Sequence, residues 1–292
     1  MTIDSNTKIC GLIGYPIGHS VSPAIHNTLA EALGQNLLYV PLQVEPGKLE
    51  DAIKGALAFG FHGMNVTIPY KKDVIPFCSE VDKNAGLIGA VNTLVRCEGG
   101  YKGYNTDAPG LYRALMEDGL DPAGRKVVLL GAGGVARAMA FTMLDKGAAS
   151  LHILNRTFEN AQKLAQDVNQ AAGREFAVPL LLSDWQKLEG EGYLALQATN
   201  IGMHPRVDAV VLEEDAFYRK VYAGFDGIYN PAETLFMKKV CANGGFAVNG
   251  LKMLLYQGII AYELWNDVTV PGELADKIYE KLCGILCCEK TE

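Results

Sequence analysis

The stretch Val127-Val128-Leu129-Leu130-Gly131-Ala132-Gly133-Gly134-Val135-Ala136 decides the fold of this chain. Four apolar residues of strand length run directly into a glycine-rich turn, and a helical pattern then continues to Lys146. Glycines at such a junction let backbone amides at a helix N-terminus approach a pyrophosphate. Ala136 takes the place of the motif's third glycine, which is an accepted variant. The stretch predicts a dinucleotide-binding turn; the ligand-free alternative is a tight strand-to-helix turn.

Strand and helix patterns alternate on both sides of this turn. A helical pattern over residues 111–117 precedes it. A strand (150–154), a helix (159–169) and two further strands (193–198 and 223–228) follow it. Alternating strands and helices are typical of a parallel sheet covered by helices. Residues 108–247 are therefore predicted to form a Rossmann-like dinucleotide-binding domain.

A second α/β region precedes this domain. Strand patterns over residues 9–13, 37–44 and 63–68 alternate with helices, and this order again predicts parallel pairing. The dipeptide Ser22-Pro23 is typical of a helix N-cap followed by proline at the first helical position. One helix therefore begins after Ser22.

The last part of the chain is helical and is predicted to return to the first region. An apolar stripe runs from Leu251 to Trp265, and a final helix covers residues 271–286. We therefore expect a two-domain α/β chain. Residues 1–107 and 248–292 would form an N-terminal substrate-binding catalytic domain, and residues 108–247 the nucleotide domain.

Composition favours a small-molecule ligand. The 292 residues carry a formal net charge of −7, which disfavours long-range attraction to nucleic acid or to anionic lipid. The longest apolar runs are strand-sized, and the N-terminus lacks the pattern of a secretory signal, so we expect a cytoplasmic protein outside the membrane. Seven cysteines without a CxxC pair, and five histidines without ligand spacing, predict no metal site.

The residues after the second strand of the nucleotide domain bear on the choice of cofactor. An acidic residue about 20 positions beyond the glycines commonly holds the ribose hydroxyl of NAD. Here the chain has Asn155 and Arg156 instead. A guanidinium can pair with a 2′-phosphate, so the sequence favours NADP over NAD. The alternative for Arg156 is a solvated surface charge.

Lys71 and Asp107 are the candidate acid/base pair. Lys71 closes Asn65-Val66-Thr67-Ile68-Pro69-Tyr70-Lys71, in which an apolar strand pattern ends in a proline turn. Asp107 closes Asn105-Thr106-Asp107. A carboxylate can orient an ammonium group so that it donates a proton to a ketone. Alternatively, Lys71 is the charged start of a helix and Asp107 is only a helix N-cap.

Taken together, these motifs resemble the shikimate dehydrogenase family. The resemblance runs from Gly14 to about Trp265 and rests on Gly14-Tyr15-Pro16-Ile17-Gly18-His19-Ser20-Val21-Ser22-Pro23, the stretch from Asn65 to Lys71, Gly89-Ala90-Val91-Asn92-Thr93, Asn105-Thr106-Asp107, Tyr229-Asn230-Pro231, and Asn249-Gly250-Leu251 leading to Gln257. It implies NADP-linked interconversion of 3-dehydroshikimate and shikimate, a step towards chorismate and the aromatic amino acids, without a metal.

The resemblance also implies a role for each site residue. Lys71 would be the general acid/base with Asp107 beside it, and Ser20 and Ser22 would bind the substrate carboxylate. Ring hydroxyls would be held by Thr67, Asn92, Asp107 and Gln257, and Tyr229 would close the pocket. The implied cofactor contacts are Gly131, Ala132, Gly133, Gly134, Val135, Asn155, Arg156, Thr157, Gly227 and Gly250. From the residues alone, Ser20 and Ser22 could equally be turn and N-cap residues.

Two departures from the family pattern stand out. Asn160 occupies a position where many relatives place a second basic residue for the 2′-phosphate, and Ala108-Pro109 follows Asp107 where glycine is more usual. The first weakens the expectation of NADP, and the second could stiffen the connection between the domains.

Three alternatives stay open. An NAD-preferring quinate/shikimate dehydrogenase would differ little in sequence, whereas a methylenetetrahydrofolate dehydrogenase would have no use for two serines at a carboxylate. A non-catalytic nucleotide-sensing protein belongs to a different class, and the presence of Lys71 and Asp107 argues against it. The sequence leaves open whether the chain forms a homodimer.

Overall fold

The computed structural model describes residues 3–18 and 20–288. These residues form two compact units. Unit 1 comprises the described residues of Met1–Gly110 and Leu255–Glu292, and unit 2 comprises Leu111–Leu254. Both divisions fall inside helices. The domain boundaries expected from the sequence, at 107/108 and 247/248, stay a prediction.

Unit 1 is built around a six-stranded sheet. Its elements, with the helix that leads into unit 2, are β1 (Lys8–Gly14), α1 (Ser22–Ala32), β2 (Leu37–Gln43), α2 (Leu49–Ala58), β3 (Gly63–Val66), β4 (Glu80–Val81), α3 (Lys83–Ile88), β5 (Thr93–Cys97), β6 (Gly100–Tyr104) and α4 (Asp107–Glu117). The strand order is β2-β1-β3-β5-β6-β4. Apolar side chains of the sheet and of α2 form a core that includes Ile13, Ile53, Val66 and Leu94.

This first sheet is mixed rather than parallel throughout. The pairs β1–β2 and β1–β3 are parallel as expected, but β5 runs antiparallel to both β3 and β6. The two residues between Cys97 and Gly100 connect β5 to β6, and Gly99 there has a φ of +80°. A two-residue connection can join only antiparallel strands, so this hairpin overrides the parallel pairing predicted for the region.

Unit 2 has a six-stranded sheet that is parallel throughout its described pairs. Its elements after α4 are β7 (Lys126–Leu130), α5 (Gly134–Asp145), β8 (Ser150–Asn155), α6 (Phe158–Ala172), β9 (Ala177–Leu181), β10 (Tyr193–Gln197), α7 (Asp215–Tyr218), β11 (Val221–Asp226), α8 (Leu235–Ala242) and β12 (Phe246–Val248). The strand order is β12-β11-β10-β7-β8-β9. A fully buried core on this sheet includes Val128, Leu130, Ala195 and Phe217.

The order of the strands in unit 2 places a switch point between β7 and β10. From β7 the chain winds outward through β8 and β9, and it then returns to β10 on the other side of β7 before continuing to β12. In doubly wound sheets, ligands bind beyond the carboxyl ends of the strands at this point. The glycine-rich turn after β7 and the residues after β10 therefore lie at the expected ligand edge of unit 2.

Two further helices follow β12 among the described residues. α9 (Leu251–Asn266) begins in unit 2 and continues into unit 1, and α10 (Gly272–Cys288) lies in unit 1. Gly110 of α4 lies against α9, since a Cβ built on Gly110 would stand 2.7 Å from the backbone nitrogen of Gln257. Only glycine allows the two helix backbones to approach this closely.

Candidate active site

Lys71 and Asp107 form an ion pair in unit 1. Lys71 lies in the turn that follows β3, and Asp107 is the first residue of α4. The Lys71 Nζ donates to Asp107 Oδ2 at 2.7 Å. The two side chains keep 24% and 11% of their exposure, so the pair is largely desolvated but still open to a small molecule. This is the arrangement that a positioned proton donor requires.

Asn92 orients the carboxylate of this pair. Its Nδ2 donates to Asp107 Oδ1 at 2.9 Å, and its side chain is buried. The amide oxygen of Asn92 accepts from the backbone N–H of Thr106 at 2.7 Å. A backbone N–H can only donate, so this contact determines which end of the amide is oxygen. The amino end of Asn92 therefore faces Asp107, and both carboxylate oxygens have donors.

The alternative in which Asp107 only caps a helix does not fit the contacts. The side chain that caps the start of α4 is Asn105, whose Oδ1 accepts from the backbone N–H of Ala108 at 3.2 Å. The Asn105 Nδ2 donates to the backbone oxygen of Ala90 at 3.0 Å, which fixes its orientation. Because Asn105 meets the needs of the helix end, the Asp107 carboxylate is available to Lys71.

Ser20 and Ser22 form a second polar group in unit 1. The Ser20 Oγ donates to Ser22 Oγ at 3.2 Å and accepts from the Ser22 backbone N–H at 3.3 Å. The prediction that Ser22 is a helix N-cap is wrong. Val21 occupies the cap position, with φ −88° and ψ 0°, and α1 begins at Ser22. The Ser22 hydroxyl is therefore not used by the helix end. No hydrogen bond among the described residues joins either serine to Lys71, Asn92 or Asp107.

The remaining substrate-binding candidates lie in different places. Thr67 follows β3, which ends at Val66 rather than at the predicted residue 68. The Thr67 backbone N–H donates to the backbone oxygen of Ile13 at 2.9 Å. Gln257 lies on α9 in unit 1 and is half-buried. Tyr229 follows β11 and belongs to unit 2, unlike the other candidates of this group. His19 lies outside the described residues.

The glycine-rich turn of unit 2 contains two kinds of glycine. Gly131 has a φ of +112°, and a Cβ there would stand 2.9 Å from the Thr199 side chain, so the protein itself requires glycine at this position. Gly133 and Gly134 do not have positive φ, and a Cβ at either would meet nothing within 4 Å. The fold gives no reason for glycine at these two positions.

The open space at Gly133 and Gly134 fits a dinucleotide. Gly133 is the N-cap of the 12-residue helix α5, and no side chain caps that end. The first backbone N–H groups of a helix carry a partial positive charge and bind phosphate oxygens. The neighbours Ala132 and Val135 are half-buried. A pyrophosphate could therefore approach the backbone where side chains would otherwise block it.

The next group of cofactor candidates lies at the end of β8, the strand adjacent to β7 in the sheet. Asn155 Nδ2 donates to the Thr157 backbone oxygen at 2.9 Å, and Thr157 is the N-cap of α6 without a side-chain cap. Arg156 is exposed, and within residues 3–18 and 20–288 its guanidinium forms no ion pair with a carboxylate. Its guanidinium is therefore available to a ligand. Asn160 is exposed on the first turn of α6.

Gly227 and Gly250 lie together in unit 2. A Cβ on Gly250 would stand 2.5 Å from the backbone oxygen of Gly227, so this approach requires glycine at position 250. Gly227 donates its N–H to the backbone oxygen of Gln197 at 2.8 Å, at the end of β10. The structure therefore brings these two candidates to the same edge of the sheet as the end of β10.

Asp226, the last residue of β11, is a further polar residue of this edge that lies outside the predicted motifs. It is fully buried, and burial raises the pKa of its carboxyl to about 6. It accepts from the Thr234 hydroxyl at 2.6 Å, from the Ile228 N–H at 2.9 Å and from Gln197 Nε2 at 3.3 Å. Asp226 thus joins the ends of β10 and β11 to the start of α8. A charged residue closing an apolar strand is the sequence signal that could have identified it.

Two general properties complete the description. Within the described residues, no group of three or more His, Cys, Asp or Glu side chains is arranged to hold a metal ion. No helix in residues 3–18 and 20–288 is both long and apolar enough to span a membrane.

Comparison with known proteins gives concordant similarities. A family model described as the shikimate dehydrogenase substrate binding domain matches residues 12–94, and one described as shikimate / quinate 5-dehydrogenase matches residues 114–182. The curated shikimate dehydrogenase (NADP(+)) of Carboxydothermus hydrogenoformans is 43% identical over 98% of this chain and 100% of its own length.

Solved structures show the same similarity. The shikimate 5-dehydrogenase of Listeria monocytogenes in complex with shikimate and NAD matches with a TM-score of 0.89 and 31% identity, over 97% of this chain and 98% of its own. The quinate dehydrogenase of Corynebacterium glutamicum in complex with NAD matches with a TM-score of 0.86 and 28% identity, over 95% and 99%.

Proposed function

The chain belongs to the shikimate dehydrogenase family, and we propose that it catalyses the reversible, NADPH-dependent reduction of 3-dehydroshikimate to shikimate, a step towards chorismate and the aromatic amino acids. The observation that carries this proposal is the Lys71–Asp107 ion pair of 2.7 Å, whose carboxylate is oriented by Asn92. The Lys71 side chain keeps 24% of its exposure, so a substrate can reach the ammonium that Asp107 holds.

In the proposed reaction Lys71 handles the proton. As the ring ketone becomes an alcohol, its oxygen gains negative charge, and the Lys71 ammonium donates a proton to it. In the reverse direction the amine accepts that proton. Asp107 holds the Lys71 Nζ by an ionic hydrogen bond, so the ammonium does not sample many rotamers before the transfer. NADPH held at the glycine-rich turn after β7 would supply the hydride.

Substrate recognition is assigned to the other polar residues of unit 1. The paired hydroxyls of Ser20 and Ser22 would bind the substrate carboxylate. Thr67, Asn92, Asp107 and Gln257 would bind ring hydroxyls, and Asn92 suits this role because its Nδ2 carries a second hydrogen beyond the one given to Asp107. Tyr229 would close the pocket. On this assignment residues 1–107 and 248–292 form the substrate-binding catalytic domain.

The nucleotide is assigned to residues 108–247. The pyrophosphate would lie at Gly131, Ala132, Gly133, Gly134 and Val135, and the nicotinamide end near Gly227 and Gly250. Asn155, Arg156 and Thr157 would hold the adenosine ribose. The open space at Gly133 and Gly134 and the exposed guanidinium of Arg156 support this assignment, and Arg156 supports NADP as the cofactor.

A second candidate function is that of a quinate/shikimate dehydrogenase that prefers NAD. The favouring observation is Asn160, an exposed amide on the first turn of α6 that adds no second positive charge next to Arg156. Quinate carries one more ring hydroxyl than shikimate, and the serine pair would bind its carboxylate equally well.

Initial rates test both candidates. The purified protein would be assayed with shikimate and with quinate, each with NADP⁺ and with NAD⁺, by following the absorbance of the reduced nicotinamide. A preference for shikimate with NADP⁺ supports the first proposal, and a preference for NAD⁺ or quinate supports the second. Cofactor binding without turnover on any pair would instead indicate a non-catalytic nucleotide-sensing protein.

We also propose that the protein is cytoplasmic and that it forms a homodimer. Sedimentation velocity at micromolar protein concentration tests the assembly, and a monomer across that range would reject the dimer.

A further inference from the structure

A chain of buried side-chain hydrogen bonds crosses the sheet of unit 1 and ends at the acid/base pair. The Tyr39 hydroxyl on β2 donates to Asn65 Oδ1 on β3 at 2.8 Å, and Asn65 Nδ2 donates to Thr93 Oγ1 on β5 at 3.1 Å. The Thr93 hydroxyl donates to Asn92 Oδ1 at 3.1 Å, and Asn92 Nδ2 donates to Asp107. The first four residues of the chain are each 5% exposed or less.

The direction of this chain is determined at both ends. At one end, the backbone oxygen of Asn92 can only accept, so the end of the Asn65 amide that faces it at 3.3 Å is Nδ2, and Asn65 Oδ1 accepts from the Tyr39 hydroxyl. At the other end, the backbone N–H of Thr106 must donate to Asn92 Oδ1. Asn65 Nδ2 consequently donates to Thr93 Oγ1. The Thr93 hydroxyl can then donate its own hydrogen to Asn92 Oδ1. Thr106 Oγ1 lies 3.2 Å from Thr93 Oγ1 and 3.1 Å from Asn92 Oδ1, and completes the cluster.

We propose that Thr93 is a positioning residue for the proposed reaction: its hydroxyl holds the Asn92 amide, and Asn92 in turn holds the Asp107 carboxylate against Lys71. Thr93 itself is fully buried and donates to neither Lys71 nor Asp107. Packing alone would be satisfied by valine, which has the same shape. The hydroxyl is required because its neighbours Asn65 and Asn92 both direct polar atoms at it.

Steady-state kinetics of Thr93→Val and Thr93→Ser test this inference, which rests on the proposed function. Thr93→Val should lower kcat about tenfold, the scale of one buried hydrogen bond, and change the KM for NADP⁺ by less than about twofold. Thr93→Ser keeps the hydroxyl and should restore most of kcat. Thr142→Val is the matched control. Thr142 is also buried, at 4% exposure, but its hydroxyl donates to the Ala138 backbone oxygen within α5, so kcat should not change.

A double-mutant cycle separates positioning from general loss of packing. If Thr93 acts through Asp107, then Thr93→Val should cost less than about twofold in kcat when Asp107→Asn is already present. A full tenfold loss in that background would mean that the two effects are independent, and it would overturn the inference. Wild-type kcat in Thr93→Val, or failure of Thr93→Ser to restore it, would overturn it as well.

A crystal structure of Thr93→Val provides a readout that does not depend on turnover. The inference requires a displaced Asn92 amide and a lengthened Lys71 Nζ to Asp107 Oδ2 distance. An unchanged pair would overturn it whatever the activity. Absence of turnover by the wild type with either substrate and either cofactor would instead reject the proposed function alone.

Discussion

Lys71→Ala removes the proposed proton donor and leaves the rest of unit 1 in place. Among the described residues, the deleted ammonium donates one hydrogen bond, to Asp107 Oδ2 at 2.7 Å. The Asp107 carboxylate keeps its hydrogen bond from Asn92 Nδ2 at 2.9 Å. The Lys71 backbone oxygen still accepts from the Val91 N–H at 2.7 Å, so the turn after β3 should keep its conformation.

Two free energies set the expected magnitude. Loss of a positioned acid/base lowers kcat by about 10² to 10⁴, equivalent to about 3–5 kcal/mol of activation free energy. Loss of the ion pair costs less in stability. A hydrogen bond between charged groups contributes about 1.5–3 kcal/mol, and the remaining exposure of both side chains reduces this to about 1–2 kcal/mol. Since a domain has about 5–15 kcal/mol of stability, the variant should still fold.

The assay compares Lys71→Ala with Lys72→Ala. Lys72 is the adjacent residue and has the same side chain, but it is exposed and forms no ion pair with any of the described residues. We expect kcat for shikimate oxidation with NADP⁺ to fall by about 10² to 10⁴ in Lys71→Ala and to change by less than about twofold in Lys72→Ala. The dissociation constant for NADP⁺ should be similar in both, since the proposed cofactor residues lie in unit 2. Near-normal turnover in a folded Lys71→Ala protein would refute the assignment of Lys71.

Three further predictions concern unit 2. Arg156→Ala should raise the KM for NADP⁺ about tenfold and leave that for NAD⁺ nearly unchanged, with Lys163→Ala on the exposed face of α6 as the control; equal effects on both cofactors would contradict a contact with the 2′-phosphate. Gly134→Ala should keep or raise the unfolding midpoint, since its Cβ enters open space, yet weaken NADP⁺ binding in calorimetry at least about tenfold; Gly131→Ala should instead lose about 1–3 kcal/mol of stability. Asp226 has a folded-state pKa of about 6, raised by burial from 3.8, so the folded state binds more protons between pH 4 and 6 and is destabilised as pH rises through that window. Asp226→Asn removes this dependence. The free energy of unfolding of the variant minus that of the wild type, both measured in urea, should therefore increase by up to about 3 kcal/mol from pH 4 to 6 and stay constant above pH 6. A difference that does not change with pH would contradict the assignment.

In unit 2, the local sequence pattern predicted the secondary structure around the glycine-rich turn. The strand and helix predicted around Gly131 are observed as β7 and α5, and the parallel order of the second sheet follows from their alternation. The mixed first sheet was missed although Glu98-Gly99-Gly100 is a hairpin signal. Whether a strand pairs in parallel or antiparallel depends on its neighbours in the complete sheet. A repeating sequence pattern indicates only that strands and helices alternate.

The sequence by itself determined the residue types for the proposed chemistry: an amine after a proline turn, a carboxylate before a helix, and glycines after a buried strand. Tertiary structure decided which atoms meet. Whether Asp107 caps a helix or binds Lys71 depends on Asn105 taking the cap, and the orientation of the Asn92 amide depends on the Thr106 N–H. Hydrogen-bond direction is a property of neighbours brought together from distant parts of the chain, because a buried donor must find its acceptor wherever the sheet places one.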